Sequence, residues 1–330
     1  MDIFASLTAK IKGKEPTIVF PEGTEPRILT AALRLADEQL VRPLLLGNEQ
    51  AVKAAAATAG LKWNDAVMVI NPQTYPAEKY ATMVEAFVDR RKGKNTAEEA
   101  EKMLRDENYF GTMLVYMGLA DGLVSGAVHS TGDTVRPALQ IIKTKPGVHR
   151  TSGAFIMTRN GGDERYVFAD CAININPDAP TLAEIAQESI KTARLFDIDP
   201  RVAMLSFSTK GSAKSDEVTK VTEATRIAQE QAPDEQIDGE LQFDAAFVPT
   251  VAAQKAPDSA VAGHATVFVF PELEAGNIGY KIAQRFGGFE AIGPVLQGLN
   301  KPVSDLSRGC NAEDVYKVAI ITAAQAVATD

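Results

Sequence analysis

Cysteine is nearly absent: Cys171 and Cys310 are the two in 330 residues, and they form no CxxC pair. That excludes a cysteine-held zinc site and argues against a disulfide framework. The three histidines, His129, His149 and His264, are widely spaced and make no HExxH, so no metal site is expected. Positive charge is in deficit, with 34 Lys and Arg against 43 Asp and Glu for a net charge of -9. A nucleic-acid partner is therefore not expected. Any anionic ligand has to be held by a local group of cations working against the overall field. No apolar run is long enough to cross a bilayer, and Met1–Lys10 lacks the apolar centre of a signal peptide. A cytoplasmic protein without membrane contact is the expectation. No Walker A ending, no GxGxxG and no internal repeat occur.

What is present is ample core material. Hydrophobic residues make up 45% of the chain, enough at ~150 residues per domain for two α/β domains. Short β-branched and apolar runs at Thr17–Phe20, Pro43–Gly47 and Ala66–Ile70 alternate with helical patterns over Pro26–Leu40 and Glu49–Ala59. That alternation is the mark of a doubly wound α/β sheet. Further helices are expected over Tyr80–Gly93, Glu98–Arg105, Thr181–Phe196 (capped by Thr181, with Glu184 at the capping-box position) and Asp216–Gln231. Strands at Ala154–Met157 and Tyr166–Ala169 flank Asn160-Gly161-Gly162 and read as a hairpin. The acidic stretch Asp238–Ala246 reads as a solvated loop.

Three stretches carry candidate chemistry. The first is Asp305-Leu306-Ser307-Arg308-Gly309-Cys310 followed by Asp314. Asn311 is a plausible N-cap for a helix from Ala312 to Ala328, with Asp314 in its first turn. A hydroxyl, a guanidinium and a carboxylate could then meet at one helix start, although a capped surface helix after a polar loop accounts for the segment equally simply. The second is a strand, Asp121–Ala127, entering His129-Ser130-Thr131-Gly132-Asp133-Thr134-Val135-Arg136-Pro137 and then a helix carrying Ala138, Leu139, Ile141 and Ile142. Backbone N–H groups and hydroxyls there point to where a phosphate would sit. Arg136 near the helix start opposes the helix dipole, which an anion beside it would explain. The third is the basic end Arg90-Arg91-Lys92-Gly93-Lys94. Ser208-Thr209-Lys210-Gly211-Ser212 is a weaker loop of the same strand-to-helix type.

Ser130 through Lys143, Leu205 through Ser212, Phe270-Pro271 with Ala275 through Lys281, and Gly293-Pro294 through Cys310 together resemble the phosphate acetyltransferases, from about Phe20 to the C-terminus. The length is similar to the short, single-module form of the phosphate acetyl/butyryltransferase family. The resemblance implies acetyl-CoA + phosphate ⇌ acetyl phosphate + CoA, with CoA or acetyl-CoA as substrate and no tightly bound cofactor. It implies a homodimer and two α/β domains with mainly parallel sheets flanked by helices and an interdomain cleft, isopropylmalate-dehydrogenase-like. On the sequence these are residues 1–147 plus 303–330, and 148–302. It makes Ser307, Arg308 and Asp314 catalytic, with Asp314 the base for the CoA thiol, a task that a burial-raised pKa would suit. Arg136 and, with Arg90 competing for the position, Arg91 map onto arginines that bind CoA or phosphate. Lys255 and Lys281 match substrate-binding lysines, and Ser130 and Thr131 join them from the loop. A covalent route through Cys310 is the rival mechanism. A phosphate butyryltransferase, a dehydrogenase-like enzyme and a non-catalytic CoA-binding protein are the alternative functions.

Overall fold

The computed structural model describes residues 3–328. Contacts divide the chain into a terminal unit, Leu7–Lys145 with Leu299–Asp330, and a middle unit, Met1–Ser6 with Pro146–Gly298.

The terminal unit is built on a five-stranded sheet. Its strands are β1 (Thr17–Phe20), β2 (Arg42–Leu46), β3 (Met68–Ile70), β4 (Gly122–Ser125) and, from the returning chain, β11 (Val303–Asp305), numbered along the whole sequence. The order is β11-β4-β1-β2-β3 and every pairing is parallel. A parallel sheet with connecting helices has both faces covered, so its strands are apolar throughout. Ile18, Val19, Phe20, Leu45, Leu123 and Val124 are all fully buried. At the C-terminal strand ends, Val303↔Leu123, Ser304↔Val124 and Asp305↔Ser125 set the chain's last strand beside β4.

The middle unit carries β5 (Ser152–Arg159), β6 (Glu164–Ala169), β7 (Arg201–Leu205), β8 (Gln236–Leu241), β9 (Val267–Val269) and β10 (Glu290–Gln297) in the order β10-β5-β6-β9-β7-β8. The β5–β6 hairpin turns through Asn160–Gly162 as its Gly-Gly pair demands, and β10 returns antiparallel on β5. The other pairings are parallel. Phe155, Phe168, Phe268 and Phe270 centre its core.

Four elements differ from the sequence reading. The helix after β4 begins at Thr131, not beyond Pro137. Ser130 caps it, accepting from Asp133 N at 3.3 Å while Asp133 reaches back to Ser130 N at 3.2 Å. Pro137 has no N–H to continue the ladder, and Ala138–Ile142 runs on as a wider π turn. Arg136 therefore stands in a last turn, where a cation suits the dipole. Asp178 rather than Thr181 caps Ala179–Leu195, because Pro180 is accommodated in the first turn. Glu184 instead accepts from the backbone of His149 (3.0 Å) and Arg150 (3.2 Å). Asp238–Ala246 is not a solvated loop: it supplies the end of β8 and the helix Phe243–Phe247. Its Glu240 is buried and accepts from Gly211 N (2.7 Å), Ser208 Oγ (2.9 Å) and Thr222 Oγ1 (3.1 Å). Burial pushes that carboxyl up, but these donors outweigh it and leave it below the usual range. Finally, Glu107–Tyr116 is a helix that periodicity misses, since Asn108 and Phe110–Val115 are all buried and leave no polar face to mark it.

Candidate active site

The Ser307–Arg308 turn leaves β11 directly. Leu306 N donates to Ser125 O (2.7 Å) as the last contact along the strand, and Cys310 N closes the turn on Ser307 O (2.9 Å). Ser307 Oγ accepts from Gly309 N at 3.2 Å. Ser307, Arg308 and Gly309 are exposed. The helix Ala312–Val327 follows, capped as its sequence indicates: Asn311 Oδ1 accepts from Asp314 N and Asp314 Oδ2 from Asn311 N, both at 2.9 Å. Asp314 is therefore exposed and engaged in a capping box. The burial expected of it is not provided by the terminal unit, because a first-turn residue on this helix points outward.

Two residues that sequence reading passed over hold this turn against the loop after β4. Arg27, in the first turn of the helix Pro26–Asp37, donates through Nη1 to Arg308 O (2.8 Å) and Cys310 O (2.9 Å), and through Nη2 to Ala127 O (2.9 Å). Its Nε is fixed by Glu25 at 2.6 Å. Glu22, buried in Pro21-Glu22-Gly23, accepts from the backbone of Ala127 (2.9 Å), Val128 (2.8 Å) and His129 (3.0 Å), and from His129 Nδ1 (2.8 Å). The only sequence signal is a charged residue just after a buried strand, where both segments follow β1.

The guanidiniums sort themselves by partner. The terminal unit has eight arginines: Arg27, Arg34, Arg42, Arg90, Arg91, Arg105, Arg136 and Arg308. Six donate a hydrogen bond within the protein. Arg136 and Arg308, both exposed, donate none among the described residues. A guanidinium folded back over its own helix brings Arg136 Nη2 within 3.5 Å of where a Cβ on Gly132 would stand, ordinary contact that leaves room for alanine there.

Arg90 and Arg91 differ in their partners. Arg90 is spent on the π turn, donating to Ile141 O (2.6 Å) and Ile142 O (2.7 Å) and lying over the Tyr116 ring at 5.0 Å. Arg91 has one partner, Asn95 Oδ1 at 3.1 Å. Burial raises the Tyr109 phenol, and the charges of Arg136 and Arg91 draw it part of the way back. Lys143 also joins the basic end: burial and the charges of Arg90, Lys92, Arg91 and Lys94 push its ammonium down.

Cys310 is buried, and burial pushes its thiol above the ordinary range although Arg27 pulls the other way. Lys255 and Lys281 belong to the middle unit. Lys255 Nζ pairs with Asp244 Oδ2 (2.8 Å) and Gln242 Oε1 (3.0 Å), and Lys281 Nζ donates to Asn277 Oδ1 (2.5 Å). Lys210 is occupied by Asp238 and by Gly239 O. Among the described residues no group of three or more His, Cys, Asp or Glu could hold a metal ion.

Comparison with known proteins agrees along the whole chain. The phosphate acetyltransferase of Bacillus subtilis (strain 168) is 65% identical over 326 residues, 99% of each chain. The crystal structure of a phosphotransacetylase from Streptococcus pyogenes superposes with a TM-score of 0.96 at 63% identity, covering 98% of both chains. A branched-chain phosphotransacylase from Enterococcus faecalis V583 shares the fold at 20% identity, with a TM-score of 0.66 over 94% of this chain and 99% of its own. The phosphate acetyl/butaryl transferase family profile matches residues 2–323, and the chain belongs to that family.

Proposed function

We infer that this chain is a phosphate acetyltransferase that interconverts acetyl-CoA and phosphate with acetyl phosphate and CoA, by direct attack within a ternary complex. The observation that carries the reading is a pair of guanidiniums with no acceptor among the described residues: Arg308 on the turn after β11, and Arg136 on the helix that follows the loop after β4, the turn and that loop being tied together by Arg27. Exposed arginines without a protein acceptor suit phosphate oxygens, which they bind in a two-pronged way. Asp314 takes the CoA thiol proton, since the thiolate is the nucleophile. The sulfur bonds to the acetyl carbon, the carbon–oxygen bond to phosphate breaks, and the phosphate leaves. Ser307 donates to the oxygen on which charge develops, and Arg308 neutralises the departing phosphate. Ser130, Thr131, Arg136 and Arg91 bind the anionic parts of the substrates from the terminal unit, and Lys255 and Lys281 from the middle unit. The two units are taken as its two domains.

Recovery of acetyl-CoA from acetyl phosphate and CoA, with release of one phosphate each, tests the reaction; absence of acetyl-CoA would remove it, and faster turnover of butyryl phosphate would shift the substrate to the longer acyl chain. Direct attack is supported over an acyl-cysteine by the burial that disfavours the Cys310 thiolate. Cys310→Ser is expected to keep kcat within about threefold, where a covalent nucleophile costs orders of magnitude; a loss of that larger size would reinstate the acyl-enzyme.

A homodimer is supported by an apolar row on the helix Leu273–Arg285 and its end. Ile278 is 57%, Ile282 52% and Phe286 91% exposed, at four-residue spacing. Ile282→Glu is expected to convert a dimer to a monomer by light scattering; a monomeric parent chain would dismiss the dimer. A cytoplasmic location suits two free thiols, and among the described residues no helix is long and apolar enough to cross a membrane.

A further inference from the structure

Beneath the two loops lies a carboxyl that the reaction as written does not use. Asp305 ends β11 opposite Ser125 and is 8% exposed. Its Oδ1 is packed against the backbone of β4: a Cβ on Gly126 would come within 2.7 Å of it and within 2.6 Å of Leu306 O, so a side chain at 126 would drive the strands apart. Three buried oxygens from adjoining segments have no hydrogen-bond partner among the described residues, namely Asp305 Oδ1, Ser125 Oγ and Thr134 Oγ1. The Thr131 and Thr134 hydroxyls are near enough to the carboxyl to draw its pKa down, but neither Thr134 Oγ1 nor Asp305 Oδ1 completes a bond of ordinary geometry. Oxygens left unsatisfied in a dry interior carry a desolvation cost that no hydrogen bond offsets.

The surroundings supply no positive charge to pair with an ionised Asp305. Glu22 faces it from the loop after β1 and opposes ionisation. On the helix Thr131–Pro137 the charged groups are Asp133, tied to Ser130, and Arg136; His129 is bonded to Glu22; Arg308 on its own loop is exposed. Two residues along the chain from Asp305 stands Ser307, and across the gap stands Thr131.

We propose that Asp305 is a positioning residue for the transfer, whose buried carboxyl sets the Ser130–Arg136 segment in register with the Ser307–Arg308 turn and leaves their donors to the phosphate. Protonated, it presents a dipole to Thr131 and Thr134. Ionised, it competes with the substrate for the exposed Thr131 hydroxyl and repels the substrate's charge. Burial pushes Asp305 above the ordinary carboxylate range, the Thr131 and Thr134 hydroxyls offsetting this only in part. The sign follows. A carboxyl raised in the folded state stabilises the fold below its unfolded value and loses that contribution as pH rises through its folded value. Affinity for acetyl phosphate falls over the same interval.

The inference rests on the transferase reading, and its test separates the two. KM for acetyl phosphate, kcat and the thermal midpoint are measured from about pH 5 to about pH 9 for the parent chain, Asp305→Asn and Asp305→Ala, an interval spanning the ordinary and raised carboxylate ranges. The KM ratio of Asp305→Asn to parent cancels ionisation of the substrate. It is expected to fall as pH rises, by at least about threefold, because only the parent acquires the repelling charge. Asp305→Asn is expected to unfold at a higher temperature than the parent at the alkaline end of that interval, with the gap closing in acid. Asp305→Ala, which empties the position, is expected to raise KM by about tenfold or more. A flat KM ratio, or Asp305→Ala with parental KM and kcat, overturns the positioning role. The thermal comparison reads Asp305 with no substrate present, so an inactive parent chain would refute the transferase reading while the stability profile still tested the buried acid.

Discussion

Arg308→Ala is expected to lower kcat by about a hundredfold to a thousandfold, the range seen when one preorganised donor to developing charge is removed. The thermal midpoint should barely move. The Arg308 side chain makes no hydrogen bond among the described residues, and Arg27 holds the turn through the Arg308 carbonyl, which alanine retains. Arg308→Lys should recover part of the loss, because a point charge neutralises phosphate without the two-pronged geometry. Steady-state kinetics beside a melting curve decides the matter. Parental kcat in the alanine variant would remove Arg308 from the chemistry, and a collapsed midpoint would make it a structural residue.

Asp314→Asn is expected to reduce kcat by about a hundredfold or more with little change in KM, as befits loss of a positioned base. The capping box makes this an informative substitution. Asparagine keeps an oxygen to accept from Asn311 N, and the Asp314 N–H bond to Asn311 Oδ1 is untouched, so the helix start should lose no more than about 1 kcal/mol. Turnover and stability are thereby uncoupled at one atom. Parental turnover in Asp314→Asn would assign the thiol proton to another acceptor.

Much of the framework was legible because local signals agreed. Apolar runs punctuated by Gly and Pro gave the buried parallel strands, and Asp216–Gln231 is a helix over the residues its spacing indicated. The loops bearing Ser130, Thr131, Ser307 and Arg308 announced themselves by glycine and hydroxyl content. Their fastening did not. Arg27 reaches carbonyls 100 and 281 positions away, and Glu22 gathers amides more than 100 positions on. No period or motif encodes a contact made by a backbone carbonyl of a distant loop. Asp305 looked like one more polar loop residue, yet it closes β11 as a buried strand position. The helix starts at Thr131 and Ala179 differ from the sequence expectation for one cause: proline reads as a boundary, and the fold uses Pro137 inside a last turn and Pro180 inside a first turn.

The strand that carries Asp305 is made only after the whole of the middle unit. Until Val303–Asp305 emerges, β4 presents an open backbone edge flanked by fully buried Leu123 and Val124, and the groups awaiting Arg308 and Cys310 have nothing to bind. Vectorial synthesis therefore leaves the four earlier strands of this sheet waiting while the middle unit is made, a nascent species with the exposed edge that invites intermolecular pairing. A chain cut before Val303 keeps that edge of β4 open and lacks the turn that Arg27 fastens.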